Sequence, residues 1–380
     1  MKNKIKIVFI VDSLGRGGAQ RQMVELARTI DRNLFEPLVL IYFDIQQLRK
    51  DLDDAKIPIF LIKKKSKYDL LFLFKLISFL QQHNPDVVLS YLNTANFWAR
   101  ISGWMAGVKV IISSERSGDV GESKIRILLE MLLQKVTTLT VSNSEYVRNV
   151  LVEKVGVDPR KLRVVFNGVD INRLNDVNNA RISDLRLKVG LDESHYIIAL
   201  VGRIAPEKNH KCLIRAMSRL VPLDAKVKVL FFGNEHDLDL KKELIGEILR
   251  YDLGEHFIFC GPQEDMAAVY AMSDVVVLPS LWESFPNVVV EAMATGTPVV
   301  VSDVSDNSKI ISDGKSGYIF RRDDDVALAE CLVKLMNLNP DEVALIADSA
   351  RNSVSKNYSL NVMTESFQKL IISKYFDLSE

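Results

Sequence analysis

The stretch that decides the fold is IKIVFIVDSLGRGGAQRQMVELARTI, residues 5–30. Its first part, Ile5–Val11, is apolar on both faces, which is typical of a parallel strand covered on both sides. A glycine-rich segment follows, and from Met23 onward apolar residues recur at i, i+3, i+4 and i+7, as in an amphipathic helix. The stretch therefore predicts a buried strand, a tight turn and a helix, the repeating unit of an α/β protein with a parallel sheet.

The same alternation continues in two series along the chain. β-Branched-rich apolar runs occur at Leu38–Phe43, Ile57–Ile62, Asp86–Tyr91, Val108–Ser113 and Thr137–Ser142, and then at Tyr196–Val201, Val227–Phe232, His256–Cys260, Asp274–Pro279, Thr297–Val301 and Gly317–Phe320. Two series predict two doubly wound domains. Residues 167–195 are polar and Asn/Asp-rich, so we interpret them as the linker and the entry to the second domain. Residues 362–375 predict a terminal helix that either domain could receive.

The composition narrows the classes of protein that the chain can form. It has 380 residues, 48% apolar and 26% charged, with 49 Lys+Arg and 49 Asp+Glu. The length suggests two domains. Nucleic-acid-binding proteins usually carry an excess of positive charge, and because the net charge here is zero, no nucleic-acid partner is expected. Three widely spaced cysteines without a CxxC pair argue against a disulfide framework and a zinc site. No apolar run is long enough for a membrane span and no cleavage site follows the first strand, so we expect a cytoplasmic protein.

Two segments that follow predicted strands carry features of an anion site. Gly15, Gly17 and Gly18 precede a helix N-terminus, which suits a phosphate, although a tight strand–helix connection explains them equally. Gln20 occupies the third glycine position, so the segment is not a dinucleotide fingerprint. In the second domain, Arg203 and Lys208 follow a strand that ends at Gly202. Two such cations suit a diphosphate, and solvated surface charges are the alternative.

A second pair of charged residues lies in the segment 278–298. Glu283 is predicted in a loop and Glu291 on the following helix, whose N-terminus near Ser284–Val288 presents backbone N–H groups. Carboxylates beside a diphosphate are suited to accept hydrogen bonds from hydroxyls of a sugar or a ribose. A glycosidase pair is an alternative, but such an enzyme has no need of Arg203 and Lys208. Plain surface charges on a helix are the other alternative.

Taken in order, these residues resemble the large retaining nucleotide-sugar glycosyltransferase family 4, which has the GT-B fold. The resemblance rests on Arg203 and Lys208 followed by Glu283 and Glu291 in ESFPNVVVEAMATGTPVV. Supporting segments match in order: Gly17-Gly18, Val141–Ser144, Val165–Asp170, Asp303 and Asp313–Gly317. The resemblance extends from residue 5 to about residue 360.

The resemblance implies two Rossmann-like domains that face a cleft. The expected boundaries are 1–168 for an acceptor-side domain, 169–358 for a nucleotide-sugar-binding domain and 359–380 for a C-terminal helix that packs back on the first domain. It also implies roles for residues. Arg203 and Lys208 would hold the diphosphate, Glu283 would contact hydroxyls of the donor sugar, and Glu291 would bind the ribose. Further donor contacts would come from Gly17, Gly18, Phe285, Pro286, Asn287 and Val288.

The chain departs from the family pattern at three places, one of which is Ser284, where glycine is common. Where many members carry a histidine after the fifth strand, this chain has Glu115 and Arg116, which are candidates for acceptor or donor-sugar contacts. Residues 303–307 replace a commoner glycine-rich turn. Members need no metal, and we expect no cofactor and no metal site. Asp-x-Asp patterns of the metal-dependent fold occur at residues 51–53, 237–239 and 323–325, away from the predicted strand ends.

The expected function is transfer of a hexose or N-acetylhexosamine from a nucleoside diphosphate, with UDP expected. The expected acceptor, from family prevalence, is a surface polysaccharide such as lipopolysaccharide or a lipid-linked glycan. A nucleotide-sugar epimerase of the same architecture and a non-catalytic sugar-nucleotide-binding subunit are the alternatives. A basic cluster, Lys63, Lys64, Lys65 and Lys67, precedes an aromatic-rich helix at 68–80, a pattern that can place a protein on an anionic membrane. A core helix after a solvated basic loop is the competing interpretation.

Overall fold

The protein is described by a computed structural model that covers residues 4–66, 69–118, 124–220, 226–235 and 237–377, with residues 124–126 described by their backbone. The chain divides into two compact units. The first unit comprises residues 1–168 and 360–380, and the second comprises residues 169–359. Each unit is built on a parallel sheet with helices on both faces, so the predicted α/β class with two doubly wound domains is confirmed.

Within its described residues, the first unit contains a seven-stranded parallel sheet of order β3-β2-β1-β4-β5-β6-β7. Its strands are β1 (Ile5–Val11), β2 (Phe35–Ile41), β3 (Ile59–Leu61), β4 (Val87–Tyr91), β5 (Val110–Glu115), β6 (Leu139–Ser142) and β7 (Leu162–Val164). The six apolar runs predicted β1 to β6. The short β7 was not predicted, because it has three residues and the central Arg163 is exposed.

The helices of the first unit cover both faces of this sheet. They are α1 (Gly18–Thr29), α2 (Arg49–Asp54), α3 (Leu70–His83), α4 (Asn93–Met105), α5 (Lys124–Leu133) and α6 (Glu145–Val150). Strand β1 shows why the sequence is apolar throughout: Phe9 belongs to the core on the side of α1, and Ile10 to the core on the side of α3 and α4. Both side chains are fully buried, as expected for a strand that is covered on both sides.

The second unit contains, among the described residues, a six-stranded parallel sheet of order β10-β9-β8-β11-β12-β13. This corresponds to the 3-2-1-4-5-6 order of a Rossmann sheet. Its strands are β8 (Tyr196–Val201), β9 (Val227–Phe232), β10 (Phe257–Gly261), β11 (Val275–Leu278), β12 (Val299–Ser302) and β13 (Tyr318–Phe320). Each predicted run therefore contains or overlaps a strand.

The helices of the second unit begin within the segment interpreted as the linker and entry to this domain. They are α7 (Ile171–Asn175), α8 (Asn179–Lys188), α9 (His210–Leu220), α10 (Leu238–Arg250), α11 (Met266–Met272), α12 (Asn287–Thr295), α13 (Asn307–Ile310), α14 (Asp325–Met336) and α15 (Pro340–Asn357). The segment of residues 167–195, interpreted as the linker and entry to the second domain, contains two helices of the second unit that the sequence did not predict. Its Asn and Asp residues act as helix caps: the side chains of Asp170 and Asn178 accept hydrogen bonds from the first turns of α7 and α8.

The terminal helix α16 (Leu360–Asp377) belongs to the first unit, as the resemblance implies. Its Phe367 and Ile371 are fully buried in the core beside α1. A hydrogen bond of 2.7 Å joins the hydroxyls of Thr29 and Thr364. The apolar residues that the sequence predicted along this helix therefore pack against the core of the first unit.

Candidate functional site

The loop after β8 is held close to its neighbours by glycine. The Gly202 N–H donates to the carbonyl of Phe232 at 2.7 Å, and a Cβ on Gly233 would meet the Gly202 oxygen at 2.0 Å. Gly233 has φ +147°, so any other residue there would be strained as well as obstructed. At the far end of the loop, Leu281 N–H donates to the carbonyl of Glu207 at 2.8 Å. These contacts tie the loop after β8 to the loop after β11.

This arrangement brings Lys208 and Glu283 together. The ammonium nitrogen of Lys208 lies 2.6 Å from Oε1 of Glu283, and the two side chains are only 16% and 11% exposed. The hydroxyl of Ser280 donates to the same Oε1 at 2.6 Å. The Glu283 N–H donates to the hydroxyl oxygen of Ser305 at 3.0 Å. Two of the predicted catalytic residues thus form one hydrogen-bonded group at the carboxyl ends of β8, β11 and β12, where open α/β sheets bind their ligands.

Arg203, the third predicted catalytic residue, lies at the start of the same loop. Its side chain is 58% exposed and donates to Oε1 of Glu207 at 2.6 and 3.0 Å. Burial raises the pKa of Glu207, but the hydrogen bonds from Arg203 and the backbone, together with the charges of Arg203 and Lys208, outweigh it, and the pKa lies below its ordinary value. Arg203 is therefore an accessible cation held by a carboxylate that stays ionised at neutral pH.

Helix α12 carries the predicted donor-binding segment. Pro286 is the residue before the first helical residue, Asn287, and Gly296 ends the helix in the left-handed conformation with φ +83°. Phe285 is buried, with its ring centroid 6.1 Å from that of Tyr358. Val288 lies in the first turn, so the segment 285–288 forms the helix N-terminus that the sequence predicted.

Glu291 lies on α12 and accepts a hydrogen bond from Tyr270 on α11. The phenol oxygen is 2.5 Å from Oε2 of Glu291. Burial, followed by the negative charge of Glu291, raises the pKa of Tyr270 well above its ordinary value, so its hydroxyl remains a donor at neutral pH. Sequence reasoning missed Tyr270, Ser280 and Ser305, and the only signal in the sequence was that each lies next to a predicted strand end or loop.

Gly17 and Gly18 lie where the sequence predicted, immediately before and at the start of α1. The backbone of Gly17 is extended with φ −85°, so this glycine is not required for a positive φ. A Cβ here would meet Oε1 of Gln20 at 2.2 Å, so a larger residue would displace the end of that side chain. Gln20 in turn donates to Asp12 at 2.9 Å. The glycine loop is thus fixed by side chains of the same segment.

Glu115 and Arg116, at the end of β5, are both buried. Oε1 of Glu115 accepts a hydrogen bond from Asn96 at 2.8 Å. Arg116 donates to Ser114 at 2.8 Å and to Asn167, and its guanidinium lies over the ring of Tyr91 at 4.7 Å. Arg116 thus links the end of β4 to Asn167, and its contact with an acceptor or a donor sugar stays a prediction.

The Asp-x-Asp pattern at residues 323–325 forms ion pairs with arginines of the same unit. Arg215 contacts Asp323 at 3.0 Å and Asp325 at 3.2 Å, and Arg219 contacts Asp325 at 3.1 Å. In the described parts of the chain, His, Cys, Asp and Glu side chains form no group of three or more that suits a metal ion.

The basic cluster is followed by a helix with two different faces. Helix α3 buries Phe72, Leu76 and Leu80 in the core that it shares with α4. On its other side it exposes Leu70, Leu71 and Phe74, which are 66%, 70% and 62% exposed. Over the residues that the structure describes, no helix has both the length and the apolar character needed to cross a membrane. Lys67 lies outside the described residues.

The chain matches two sequence families. Residues 16–173 match Glycosyltransferase Family 4, and residues 182–352 match Glycosyl transferases group 1. One curated relative is UDP-Gal:alpha-D-GlcNAc-diphosphoundecaprenol alpha-1,3-galactosyltransferase of Escherichia coli, 24% identical, with 97% of each chain covered. Another is D-inositol 3-phosphate glycosyltransferase of Corynebacterium kroppenstedtii, 30% identical over 61% of this chain and 53% of that protein. The chain thus spans only about half of the second relative.

A solved structure has the same fold. Anabaena Alr3699/HepE in complex with UDP and glucose is 22% identical, with a TM-score of 0.86, and the match covers 97% of this chain and 100% of that chain. At this identity the likeness concerns the fold, which is GT-B.

Proposed function

The chain belongs to glycosyltransferase family 4, and we propose that it transfers a hexose or N-acetylhexosamine from a nucleoside diphosphate, UDP, to a surface polysaccharide or a lipid-linked glycan. The observation that carries the proposal is the Lys208–Glu283 pair at the carboxyl edge of the second sheet. This pair supports the proposal because a cation suited to an anionic leaving group lies next to a carboxylate suited to sugar hydroxyls. The α12 N-terminus and Glu291 follow within the same segment.

The proposed roles follow from the chemistry of each group. Lys208 and Arg203 would hold the diphosphate and stabilise the charge that develops as it leaves. Glu283 would accept hydrogen bonds from the sugar, and Glu291 from the ribose. In the reaction, the bond from the anomeric carbon to the phosphate oxygen breaks and a bond to the acceptor oxygen forms. The acceptor proton passes to the departing phosphate. The positive charge would come from side chains, so we propose that the reaction needs no metal. We propose retention of the anomeric configuration from the family resemblance.

A lipid-linked acceptor is supported by two observations. The Escherichia coli relative is named for transfer to a diphosphoundecaprenol-linked sugar. In addition, the first unit carries a surface, here termed the basic-apolar surface, that combines cations with exposed apolar side chains: Lys63, Lys64, Lys65, Leu70, Leu71 and Phe74. Such a combination suits the headgroup region of an anionic bilayer. We propose that the protein acts at the cytoplasmic face of the plasma membrane, bound peripherally.

The experiment that tests the transferase is a two-step assay on the purified full chain. A thermal-shift panel of UDP, GDP and their sugars identifies the donor, because a ligand that binds only the folded state raises Tm. The donor is then incubated with and without a synthetic polyprenyl-diphosphate sugar, in the presence of EDTA, and the product is examined by NMR. Transfer with the anomeric configuration of the donor retained supports the proposal. An altered nucleotide sugar formed without acceptor indicates an epimerase, and binding without turnover indicates a non-catalytic subunit.

A further inference from the structure

The loop after β12 contains a residue in an uncommon backbone conformation. Ser305 has φ +54°, in the left-handed region that non-glycine residues seldom occupy. Such a conformation costs free energy and persists where the surroundings fix it, most often at functional sites. This is the turn in which the family commonly has glycine, a residue that adopts this φ without strain.

The side chain of Ser305 explains why a serine is useful here. Its hydroxyl oxygen accepts the N–H of Glu283 at 3.0 Å, a contact that glycine cannot make. The other end of Glu283 is fixed by Ser280, whose hydroxyl donates to Oε1 at 2.6 Å. Ser280 is fully buried, and its own carbonyl accepts a hydrogen bond from Ser302 at 2.6 Å. Glu283 is therefore held at its backbone from β12 and at its carboxylate from β11.

These contacts leave the two carboxylate oxygens of Glu283 in different situations. Lys208 and Ser280 both donate to Oε1. Oε2 receives no donor from the residues that the structure describes, and it is the oxygen that remains to accept a hydroxyl. We infer that Ser305 and Ser280 are positioning residues that fix the Glu283 backbone and side chain so that Oε2 meets a hydroxyl of the donor sugar. This inference rests on the proposed function.

The test compares turnover with nucleotide binding. The substitution Ser305→Gly relieves the strain of the left-handed backbone and removes the hydroxyl that accepts the Glu283 N–H. Because the strain is relieved, we expect the protein to fold with an unchanged or higher Tm. With the donor found in the thermal-shift panel, kcat/KM should fall about tenfold, while Kd for UDP, measured by calorimetry, stays within about twofold. Ser280→Ala should likewise lower kcat/KM and leave Kd for UDP within about twofold. Ser305→Asn, which tolerates the left-handed conformation and carries an acceptor oxygen, should restore most of the turnover.

A matched control is Asp252→Gly. Asp252 has φ +57° in the turn after α10, so the substitution makes the same backbone change without touching Glu283. Wild-type kcat/KM in Ser305→Gly overturns the inference, and so does a loss of UDP affinity that equals the loss of kcat/KM. A wild-type protein that transfers no sugar from any donor refutes the proposed function and the inference with it. If the wild type is active and Ser305→Gly has the same kcat/KM, the inference alone is refuted.

Discussion

Lys208 and Glu283 lie 75 positions apart in the sequence, yet their side chains meet at 2.6 Å. The parallel pairing of β8 with β11 brings them together, because the loops after neighbouring parallel strands emerge at the same edge of the sheet. Oε1 of Glu283 thus neutralises the cation proposed for the diphosphate. A diphosphate that binds Lys208 competes with Glu283 for the ammonium protons, and this links binding of the leaving group to the carboxylate proposed for the sugar.

The first prediction separates the structural from the chemical role of this pair. Lys208→Met leaves a largely buried carboxylate without its cation, so the free energy of unfolding should fall by about 1–3 kcal/mol. Turnover should fall by more than about tenfold, because a charge-assisted contact to the diphosphate is lost. The double variant Lys208→Met/Glu283→Gln should recover most of the stability and none of the turnover, measured by thermal unfolding and kcat/KM. Wild-type kcat/KM in either variant would contradict the assignment.

Arg203 should behave differently, because its own side chain is 58% exposed, although its partner Glu207 is only 15% exposed. We expect Arg203→Ala to lower Tm less than Lys208→Met does, because Lys208 and a backbone hydrogen bond still stabilise the Glu207 carboxylate. The kcat/KM for the donor should fall roughly 10- to 150-fold, since a charge-assisted contact is worth about 1.5–3 kcal/mol. The control is Arg160→Ala in the first unit, an arginine whose side chain is 90% exposed and paired with Asp158. If both variants keep the same kcat/KM, Arg203 does not contact the diphosphate.

Much of the fold was predictable from period and composition. Strands such as β1 and β8 are apolar on both faces, and that pattern has one common explanation, a covered parallel sheet. Helices α7 and α8 were not predictable in this way. They are polar, α8 buries only Leu185 among its described side chains, and their caps look like a linker when read without a tertiary partner.

The charged residues of the candidate site and the N-terminus of α12 were predictable from the sequence, and the partners that orient them were not. Lys208 and Glu283 follow recognisable strands, so the topology alone brings them near each other. The partners that orient them depend on details that a single sequence does not carry. Ser305 reaches Glu283 only through its unusual φ, and Arg116 is surrounded by Asn167, 51 positions away, as well as by Tyr91.

The hydrogen bond from Tyr270 should tune nucleotide binding through Glu291. Tyr270→Phe removes the donor to Oε2, so Kd for UDP should rise roughly 2- to 10-fold. Because Glu291 is proposed to serve the ribose, the variant should bind 2′,3′-dideoxy-UDP as well as the wild type does. Calorimetry with both nucleotides checks this. Tyr196→Phe on β8 is the matched control. Equal losses for both nucleotides would show that Tyr270 acts on the fold and not on the ribose contact.

His210, the first residue of α9, predicts an acid-sensitive fold. Its ring is buried against Phe231, and neither ring nitrogen has a hydrogen-bond partner among the described residues. Burial, followed by the charge of Lys208, lowers the pKa of His210 to about 4 from its ordinary 6.5. A lowered folded-state pKa contributes stability that is present above pH 6.5 and is lost as the pH falls toward 4. Between pH 7.5 and 5 the free energy of unfolding should therefore fall by roughly 2 kcal/mol from this residue.

The variant His210→Phe keeps the ring and removes the titration. Its Tm should fall less than that of the wild type over the same pH range, as followed by circular dichroism. An unchanged pH slope would assign the acid sensitivity to other groups.

The last prediction concerns the basic-apolar surface. Leu71 and Phe74 lie on one side of α3 and are 70% and 62% exposed, and Lys63 has a side chain that is 71% exposed. On a bilayer the apolar side chains would enter the interface while the lysines meet lipid phosphates. The assay is co-sedimentation with vesicles of phosphatidylcholine that contain about 30% anionic phosphatidylglycerol. The fraction of protein bound should drop several-fold in Leu71→Ser/Phe74→Ser and in Lys63→Ser/Lys65→Ser.

The two variants should respond differently to salt, and this gives the assay its discriminating power. Binding that remains in Leu71→Ser/Phe74→Ser should vanish at high ionic strength, because only the screened electrostatic part is left. Binding that remains in the lysine variant should resist salt. Leu249→Ser in the second unit, where the leucine is 66% exposed, is the control for the loss of an exposed apolar side chain. If the control and Leu71→Ser/Phe74→Ser sediment alike, or if neutral vesicles bind as well as anionic ones, α3 is a core helix with a solvated outer face, and the lipid-linked acceptor must reach the enzyme by another surface.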